Sequence, residues 1–276
     1  MSEPIGCWVD GSAGATLPAD DRGLQYGDGL FETLLVRDGR PRFLELHLAR
    51  LARDCARLAI PFASMDALRA DITRAASRAP ALAVLKVIVT RGGAPRRGYP
   101  LAGANQPRRV VSLFTSTPLA EDVRAGVGLR VASLRLATQP ALAGIKHLNR
   151  LENVLAASEP GHAGCFDSLL LDGAGHLAGG TMTNVFAVRG TRLLTPHVDR
   201  CGVAGVMRAV VLREAAGLGL DAEPARLSLD DLLAADEAFI TNARIGVVPV
   251  RRVGEHRFGM TTVAQRLAAH VEALDA

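Results

Sequence analysis

LFETLLVRDGRPRFLELHLARLARDCARL, which runs from Leu30 to Leu58, contains two regular patterns in succession. Its first part, 30–36, is an apolar run that predicts a strand, and the Asp-Gly pair at 38–39 is a strong signal for a tight hairpin turn. From Leu44 onward, apolar residues recur at spacings of three and four, which predicts a helix with one apolar face. The chain therefore begins with a β-hairpin that leads into an amphipathic helix.

The polar residues of this stretch have plain explanations. Glu32 is given no catalytic role, because a strand residue that faces solvent explains it. The helix carries a polar stripe at the helical period, which predicts a solvated face: His47, Arg50, Asp54 and Arg57.

The same periodicities predict further elements before and after this stretch. Before it, residues 5–9 are predicted to form a strand. After it, helices are predicted at 66–77, from about 149, from about 203 and at 262–274. Strands are predicted at 82–90, 108–114, 128–134, 165–171, 185–188, 238–241 and 247–250. The Pro118 segment lacks strong periodicity, so we expect an N-terminal α/β domain (1–116), a linker (117–124) and a C-terminal domain (125–276). Strands and helices are segregated more than they alternate, which favours the α+β class.

Composition excludes several classes of protein. The 276 residues exceed the ~150 of a typical domain, which allows one large or two modest domains. Hydrophobic residues make up 49% and charged residues 22%, as in globular proteins rather than disordered chains. The net charge of +4 comes from scattered arginines, which suggest small anionic ligands more than nucleic acid.

The cysteines and the apolar runs indicate a location. The four cysteines are far apart and predict neither a zinc site nor a disulfide framework, and the histidines show no metal-binding spacing. The first residues have no signal-peptide pattern, and no apolar run reaches the ~18 residues that span a bilayer. We therefore expect a cytoplasmic protein.

Three segments are candidates for chemistry. In GIKHLNRLE, Asn149 and Glu152 resemble a capping box that would place Lys146 just before a helix, where apolar neighbours can desolvate its amine for Schiff-base chemistry; a surface lysine is the alternative. In CGVAGVMR, the free N–H groups of Val206 and Met207 at a helix start would bind phosphate, unless the glycines serve only tight packing.

The third segment, TRGGAPRRGYP, lies between two strands. Arg96 or Arg97 would bind a carboxylate through two hydrogen bonds, and Tyr99 would add a hydroxyl. The alternative is a mobile basic loop without a ligand.

Taken together, the motifs resemble one enzyme family. DRGLQYGDGLFET, HLAR, IKHLNRLE, GTMTNVF, CGVAGVMR and FITNARIGVVPV occur in this order in the fold-type-IV pyridoxal-phosphate enzymes, which include branched-chain and D-amino-acid aminotransferases and 4-amino-4-deoxychorismate lyases. The resemblance covers roughly 21–250, and IKHLNRLE is most similar to the lyases. It implies two α/β domains with pyridoxal 5'-phosphate between them, usually in a homodimer.

The resemblance also assigns roles to residues. It implies that Lys146 forms the Schiff base with pyridoxal phosphate and transfers protons. It implies that the cofactor phosphate is bound by Arg50, by the main-chain N–H groups of Val206 and Met207, and by Asn242. It further implies that Arg97 and Tyr99 meet the substrate carboxylate, with Arg97 acting on the neighbouring subunit's site.

One position departs from the family pattern. Five residues before the asparagine of GTMTNVF the family has a glutamate that pairs with the pyridine nitrogen, and here that position is Gly179. A protonated ring is a better electron sink, so the loss weighs more on a transaminase than on a lyase whose product becomes aromatic. A water or Thr181 would be the weaker partner for the nitrogen.

The resemblance thus implies an aminodeoxychorismate lyase that forms 4-aminobenzoate and pyruvate for folate synthesis, downstream of aminodeoxychorismate synthase. The first alternative is a D-amino-acid or branched-chain aminotransferase of the same fold, and the second is a non-catalytic protein that binds pyridoxal phosphate. The intact Lys146, Arg50 and Asn242 argue against the second.

Overall fold

The computed structural model describes residues 3–93, 98–101, 106–161 and 164–274. It divides into two compact units. The first unit comprises residues up to 118 together with 146–149, and the second comprises 119–145 and the residues from 150 onward.

In the described part of the first unit, one antiparallel sheet combines with three helices. Among the described residues its sheet has six strands in the order β2-β1-β6-β5-β3-β4. The elements in chain order are β1 (Pro4–Val9), β2 (Ser12–Ala13), α1 (Arg22–Tyr26), β3 (Gly29–Arg37), β4 (Arg40–Pro41), α2 (Leu44–Arg57), α3 (Met65–Ala76), β5 (Leu82–Thr90) and β6 (Arg108–Thr115).

The hairpin predicted at 38–39 is present. Strands β3 and β4 pair from Arg37 to Arg40, so two residues form the turn. Asp38 and Gly39 have φ values of 46° and 75°, the left-handed backbone that glycine adopts easily and aspartate tolerates.

The core of the first unit lies where α2 and α3 pack on the sheet. The apolar face predicted for α2 is buried through Leu48, Leu51 and Cys55. The sheet residues Leu34 on β3 and Leu85 on β5 are fully buried, and α2 packs against β3. Burial of each such side chain contributes roughly 1.5–3 kcal/mol, so this layer fixes α2 against β3.

The second unit is built on a larger, mixed sheet. Among the described residues it has nine strands, in the order β12-β11-β10-β13-β14-β7-β8-β9 with β15 beside β14. The elements are α4 (Glu121–Ala125), β7 (Val127–Leu136), α5 (Leu151–Ala157), β8 (Asp167–Asp172), β9 (Leu177–Gly180), β10 (Asn184–Arg189), β11 (Arg192–Pro196), α6 (Val206–Glu214), a 3₁₀ turn (Ala216–Leu218), β12 (Asp221–Ala225), α7 (Leu229–Leu233), β13 (Glu237–Asn242), β14 (Gly246–Val253), β15 (His256–Arg257) and α8 (Thr262–Ala273).

The core of this unit follows its central strands. Phe186 on β10 and Phe239 on β13 stack at 4.8 Å between ring centroids, and both are fully buried. Their strands pair antiparallel with Phe186 directly opposite Phe239, which sets the register of the two strands. This register also fixes where β10 and β13 end, and both ends carry residues of the candidate site.

Two predicted helix starts are wrong. The helix expected from Asn149 begins at Leu151, and no capping box forms, because Asn149 donates to Gly27 O and Glu152 accepts from Ala137 N. The helix expected from about 203 begins at Val206. The stretch 117–124, which we expected to be a linker, contains the first residues of α4.

Candidate active site

Lys146 lies in a short extended segment at the edge of β3. Phe31 N donates to Lys146 O and Leu148 N donates to Gly29 O, both at 3.0 Å, and His147 forms an antiparallel bridge with Leu30. This pairing sets Lys146 opposite Phe31, so both side chains lie on one face of the sheet. The backbone of β3 therefore fixes the position of this lysine.

The amine of Lys146 lies over an aromatic ring. Its Nζ is 4.2 Å from the centroid of the Phe31 ring, within the range of a cation–π contact. A second amine, Lys86 Nζ, lies over the same ring at 5.5 Å, but the Lys86 side chain is exposed whereas Lys146 is half-buried. The less exposed of the two, Lys146, is the lysine for which the sequence pattern predicts Schiff-base chemistry.

Arg50 is buried on α2 and paired with Glu32 of β3. Arg50 Nε donates to Glu32 Oε1 at 2.8 Å, and Arg50 Nη2 donates to Glu32 Oε2, so the guanidinium holds the carboxylate through two parallel hydrogen bonds. Burial alone would raise the pKa of Glu32, but the Arg50 charge and the His47 contact outweigh it and lower this pKa from 4.5 to about 2. Glu32 is thus ionised at neutral pH.

His47 completes this cluster. Its Nδ1 is 2.6 Å from Glu32 Oε2, and since a carboxylate only accepts, Nδ1 carries the proton. Burial lowers the pKa of His47 more than the hydrogen bond from Nδ1 to Glu32 raises it, so the ring is neutral at pH 7. Glu32 therefore has one cationic and one neutral donor.

The expectations of solvent exposure for these residues are wrong. Glu32 is only 3% exposed, and His47, Arg50 and Asp54 of the predicted solvated stripe are also buried. The period of a strand already contained the signal, because Glu32 shares its face with Leu30 and Leu34, which are buried. A charged residue on an apolar strand face opposite a polar helix stripe indicates a buried ion pair.

In the second unit, α6 begins with backbone donors that the helix does not use. The first intrahelical bond is from Ala209 N to Gly205 O, so the N–H groups of Val206 and Met207 have no partner within the helix. Both residues are buried, and the first turn contains no acidic residue. Buried N–H groups at a positive helix end are suited to bind an anion.

Gly205 is required where it caps this helix. A Cβ at this position would lie 2.1 Å from Asn184 Oδ1. Asn184 is itself held by a 2.8 Å hydrogen bond from Nδ2 to Val203 O, at the start of β10. Glycine thus leaves room for the Asn184 amide beside the start of α6.

Asn242, at the end of β13, has its oxygen engaged. Asn242 Oδ1 accepts from Arg244 N and Ile245 N, both at 2.9 Å, and Nδ2 donates to Met182 O at 3.3 Å. One amide hydrogen remains for a ligand. The contact between Asn242 and the cofactor phosphate stays a prediction. The remaining hydrogen on Nδ2 is the donor that could make it.

A buried carboxylate organises the loop after β9. Asp167 accepts hydrogen bonds from the Oγ1 atoms of Thr181 and Thr183 at 2.5 and 2.7 Å, and from backbone N–H groups of the same loop. The Thr181 hydroxyl proton is thereby committed to Asp167, so the Thr181 oxygen is left as an acceptor. Sequence reasoning missed Asp167, because an acidic residue before an apolar strand is usually part of a turn.

Gly179 has a backbone that disfavours any side chain. Its φ is 147°, and a Cβ there would lie 2.9 Å from Thr183 O. The position pairs with Leu170 in the β8–β9 ladder. Replacement of Gly179 by glutamate would therefore require the backbone to move.

The predicted substrate residues lie at a loop of the first unit. Arg96 and Arg97 fall outside the described residues. Tyr99 is described, and its side chain is 80% exposed. Its ring contacts Tyr26 with centroids 5.3 Å apart.

Two absences hold for the residues that the structure describes. In that part of the chain, no group of three or more His, Cys, Asp or Glu residues is arranged to hold a metal ion. Among the described helices, none has the length and apolar character to cross a membrane.

Comparisons with known proteins match nearly the whole chain. Residues 29–253 match the family model described as amino-transferase class IV. An aminodeoxychorismate lyase from Vibrio harveyi is 36% identical over 88% of this chain and 89% of its own. A putative branched-chain-amino-acid aminotransferase from Methanocaldococcus jannaschii is 32% identical over 83% of this chain and 80% of its own.

A solved structure is also similar along the whole length. The 4-amino-4-deoxychorismate lyase from Pseudomonas aeruginosa has 42% identity and a TM-score of 0.89, and the match covers 98% of this chain and 100% of that one. The predicted fold class is confirmed: the mixed α+β architecture is that of fold type IV. The chain belongs to the class IV aminotransferase family.

Proposed function

We propose that this protein is a pyridoxal-phosphate-dependent aminodeoxychorismate lyase, which converts 4-amino-4-deoxychorismate to 4-aminobenzoate and pyruvate. The observation that carries the proposal is the 42% identity with the Pseudomonas aeruginosa lyase along the length of both chains. The Vibrio harveyi relative of the same name supports it independently.

The donor groups of this chain fit pyridoxal phosphate. Its phosphate needs anion-binding donors, and the start of α6 offers two buried N–H groups with no partner in the helix and no acidic neighbour in the first turn. Its aldehyde needs an amine, and Lys146 is held by the backbone of β3 with its Nζ over Phe31. When bound, the cofactor supplies an electron sink for the carbon that loses a proton.

In this proposal the site residues have distinct tasks. Lys146 attaches the cofactor and then takes the proton from the substrate carbon that bears nitrogen. Arg50 binds the phosphate, as do the N–H groups of Val206 and Met207 and the remaining amide hydrogen of Asn242. Because Glu32 neutralises Arg50, this guanidinium serves phosphate as an oriented donor, and the helix start provides the uncompensated positive field.

Gly179 favours lyase over transaminase chemistry. A ring without a carboxylate partner at its nitrogen is a weaker electron sink, and a transaminase depends on that sink through its whole cycle. In the lyase reaction, pyruvate departs and the remaining ring becomes aromatic, so the substrate supplies part of the driving force. Thr181 is the neutral candidate partner for that nitrogen; because its hydroxyl hydrogen is committed to Asp167, its oxygen could accept only from a protonated nitrogen.

The substrate side of the proposal rests on the loop at 96–99. Aminodeoxychorismate carries carboxylates, which arginine binds through paired hydrogen bonds. We assign these contacts to Arg97 and Tyr99. The protonated Lys146 then assists departure of the enolpyruvyl oxygen.

The proposal extends to partners and location. We propose a homodimer, supported by the apolar face that α5 exposes through Leu151, Val154 and Leu155. An aminodeoxychorismate synthase would supply the substrate from chorismate and glutamine. The described free thiols are compatible with a cytoplasmic location.

The experiment generates aminodeoxychorismate in place with a purified synthase and follows 4-aminobenzoate and pyruvate. We expect equimolar products from the wild type, none from Lys146→Ala, and wild-type turnover from Lys86→Ala, which is the matched control because Lys86 lies over the same ring. Borohydride reduction followed by mass spectrometry should label Lys146 alone.

Two results would redirect the assignment. Transfer of an amino group from D-alanine or a branched-chain amino acid to a keto acid, without lyase products, would favour the aminotransferase reading that the Methanocaldococcus jannaschii relative suggests. Cofactor bound at Lys146 without turnover of any amine would indicate a binding protein.

A further inference from the structure

We infer that Arg22 and Tyr26 are positioning residues that hold the segment Gly98–Tyr99 in place and thereby set the affinity for the substrate carboxylate. The part that concerns substrate rests on the proposed function, in which Tyr99 contacts substrate. The part that concerns the segment rests on the contacts of the first unit alone.

The side chain of Arg22 binds the backbone carbonyl groups of this segment. Arg22 Nη1 donates to Gly98 O at 2.8 Å and Nη2 donates to Tyr99 O at 3.1 Å. Arg22 is only 4% exposed, whereas the Tyr99 side chain is 80% exposed. A guanidinium has thus been buried to hold two carbonyl groups of a segment whose own side chain stays accessible to a ligand.

The other side of Arg22 is anchored to the sheet. Arg22 Nε donates to Asp28 Oδ2 at 2.9 Å, and Arg91 Nε donates to the same oxygen at 2.8 Å. Arg91 in turn donates to Leu58 O and Ala59 O after the end of α2. Burial would raise the pKa of Asp28, but the hydrogen bonds from Arg91 and Arg22 outweigh it and hold the pKa below its ordinary value.

The chain around Gly98 is shaped for this contact. Gly98 has a φ of 109°, a backbone that residues with a Cβ rarely adopt. Two successive carbonyl groups point at one guanidinium there. The planar fork of arginine matches such a pair, whereas the single ammonium of lysine does not reproduce the fork.

Tyr26 holds the side chain of Tyr99 from the other direction. The two rings are tilted by 58° at a centroid distance of 5.3 Å, and the Arg22 guanidinium lies 5.0 Å from the centroid of the Tyr26 ring. Arg22 and Tyr26 belong to α1, whose N-cap Asp21 also accepts a hydrogen bond from Thr90 of β5. The helix that carries both contacts is thereby fixed to the sheet.

These contacts predict that substitutions of Arg22 change the affinity for substrate without changing the rate of the chemical step. The Arg22 contacts described above run to Asp28, Gly98, Tyr99 and Tyr26, and we expect loss of Arg22 to leave the cofactor in place. Loss of the clamp should allow Tyr99 to sample positions that do not contact substrate. The effect should therefore appear in KM more than in kcat.

The test compares Arg22→Lys, Arg22→Gln and Tyr26→Leu with Tyr26→Phe, which keeps the ring, and with Arg69→Gln, a control at an exposed arginine paired with exposed Glu45. Each holoenzyme is assayed for lyase kinetics, for the absorbance of bound pyridoxal phosphate, and for hydrogen exchange of peptides that contain Gly98–Leu101.

We expect both Arg22 variants to raise KM about tenfold, as for one lost hydrogen bond to a charged group, with kcat within about threefold and cofactor absorbance unchanged. Exchange at Gly98–Leu101 should rise at least several-fold in these variants and in Tyr26→Leu, but not in Tyr26→Phe or Arg69→Gln. The rescue by phenylalanine separates ring contact from a general loss of stability.

Unchanged exchange at Gly98–Leu101 in folded Arg22→Gln would overturn the clamp. Increased exchange with an unaltered KM would overturn its effect on substrate. If the wild type forms no 4-aminobenzoate, the proposed function fails and the substrate part of the inference fails with it, whereas the exchange data still decide whether Arg22 holds the segment.

Discussion

Replacement of Glu32 by glutamine tests the buried cluster of Glu32, Arg50 and His47. The pKa of Glu32 is lowered from 4.5 to about 2. Since a pKa difference of one corresponds to about 1.4 kcal/mol, ionised Glu32 contributes about 3 kcal/mol to folding. A lowered carboxyl pKa stabilises the fold fully above the ordinary value and loses its effect as the pH falls towards the native value. The contribution is thus complete above pH 4.5 and is lost by about pH 2.

The assay is urea unfolding of wild type and Glu32→Gln at several pH values. At pH 7 we expect the variant to be less stable by about 3 kcal/mol, because Arg50 remains buried without its carboxylate. By pH 3.5 the difference should shrink by about 1 kcal/mol, because the unfolded wild type binds a proton that the native state does not. The control is Glu45→Gln on α2, the helix that carries Arg50; the Glu45 carboxylate is exposed, and the change should be under about 1 kcal/mol.

Two outcomes would refute this reasoning. A Glu32→Gln variant as stable as the wild type at pH 7 would mean that the pair with Arg50 contributes nothing net. A difference that stays constant from pH 7 to pH 3.5 would mean that Glu32 does not have a lowered pKa in the folded protein.

Three further substitutions test the second unit. Gly179→Ala should lower the free energy of unfolding by about 1–3 kcal/mol in urea titrations, because φ is 147° and Thr183 O is close; an unaffected midpoint would contradict the assigned backbone. Gly205→Ala should weaken cofactor binding in a titration of the apoprotein, since its Cβ meets Asn184 Oδ1, and equal affinity would argue against a phosphate at the start of α6. Glu237→Gln should cost about 1–3 kcal/mol, because this buried carboxylate accepts from two N–H groups at the start of α8, and thermal unfolding that matches wild type would exclude that role.

Local patterns predicted the elements well where one residue type dominates. The apolar run 82–90 corresponds to β5 from end to end, and the Asp-Gly turn at 38–39 forms as expected. The apolar spacing from Leu44 yields α2 with Cys55 on its buried face. In these cases the hydrophobic period alone determines which face is covered.

Polar residues were harder to place, because their burial depends on a partner in another element. The stripe on α2 is buried only because Glu32 lies opposite it on β3, and neither pattern alone contains that fact. Apolar residues show the reverse case, since Leu151 and Leu155 of α5 are exposed. The contact of Arg22 with Gly98 spans 76 positions and has no local signal.

The assignment of 146–149 to the first unit has a topological consequence. Along the described residues, the chain passes from one unit to the other after 118, after 145 and after 149. A fragment that ended at Pro118 would lack the segment that pairs with Gly29–Phe31, and it would leave that edge of β3 open to pair with other chains. No fragment that ends before residue 146 contains both Lys146 and the complete first unit. During synthesis, residues 119–145 of the second unit must therefore be made before the first unit can be completed.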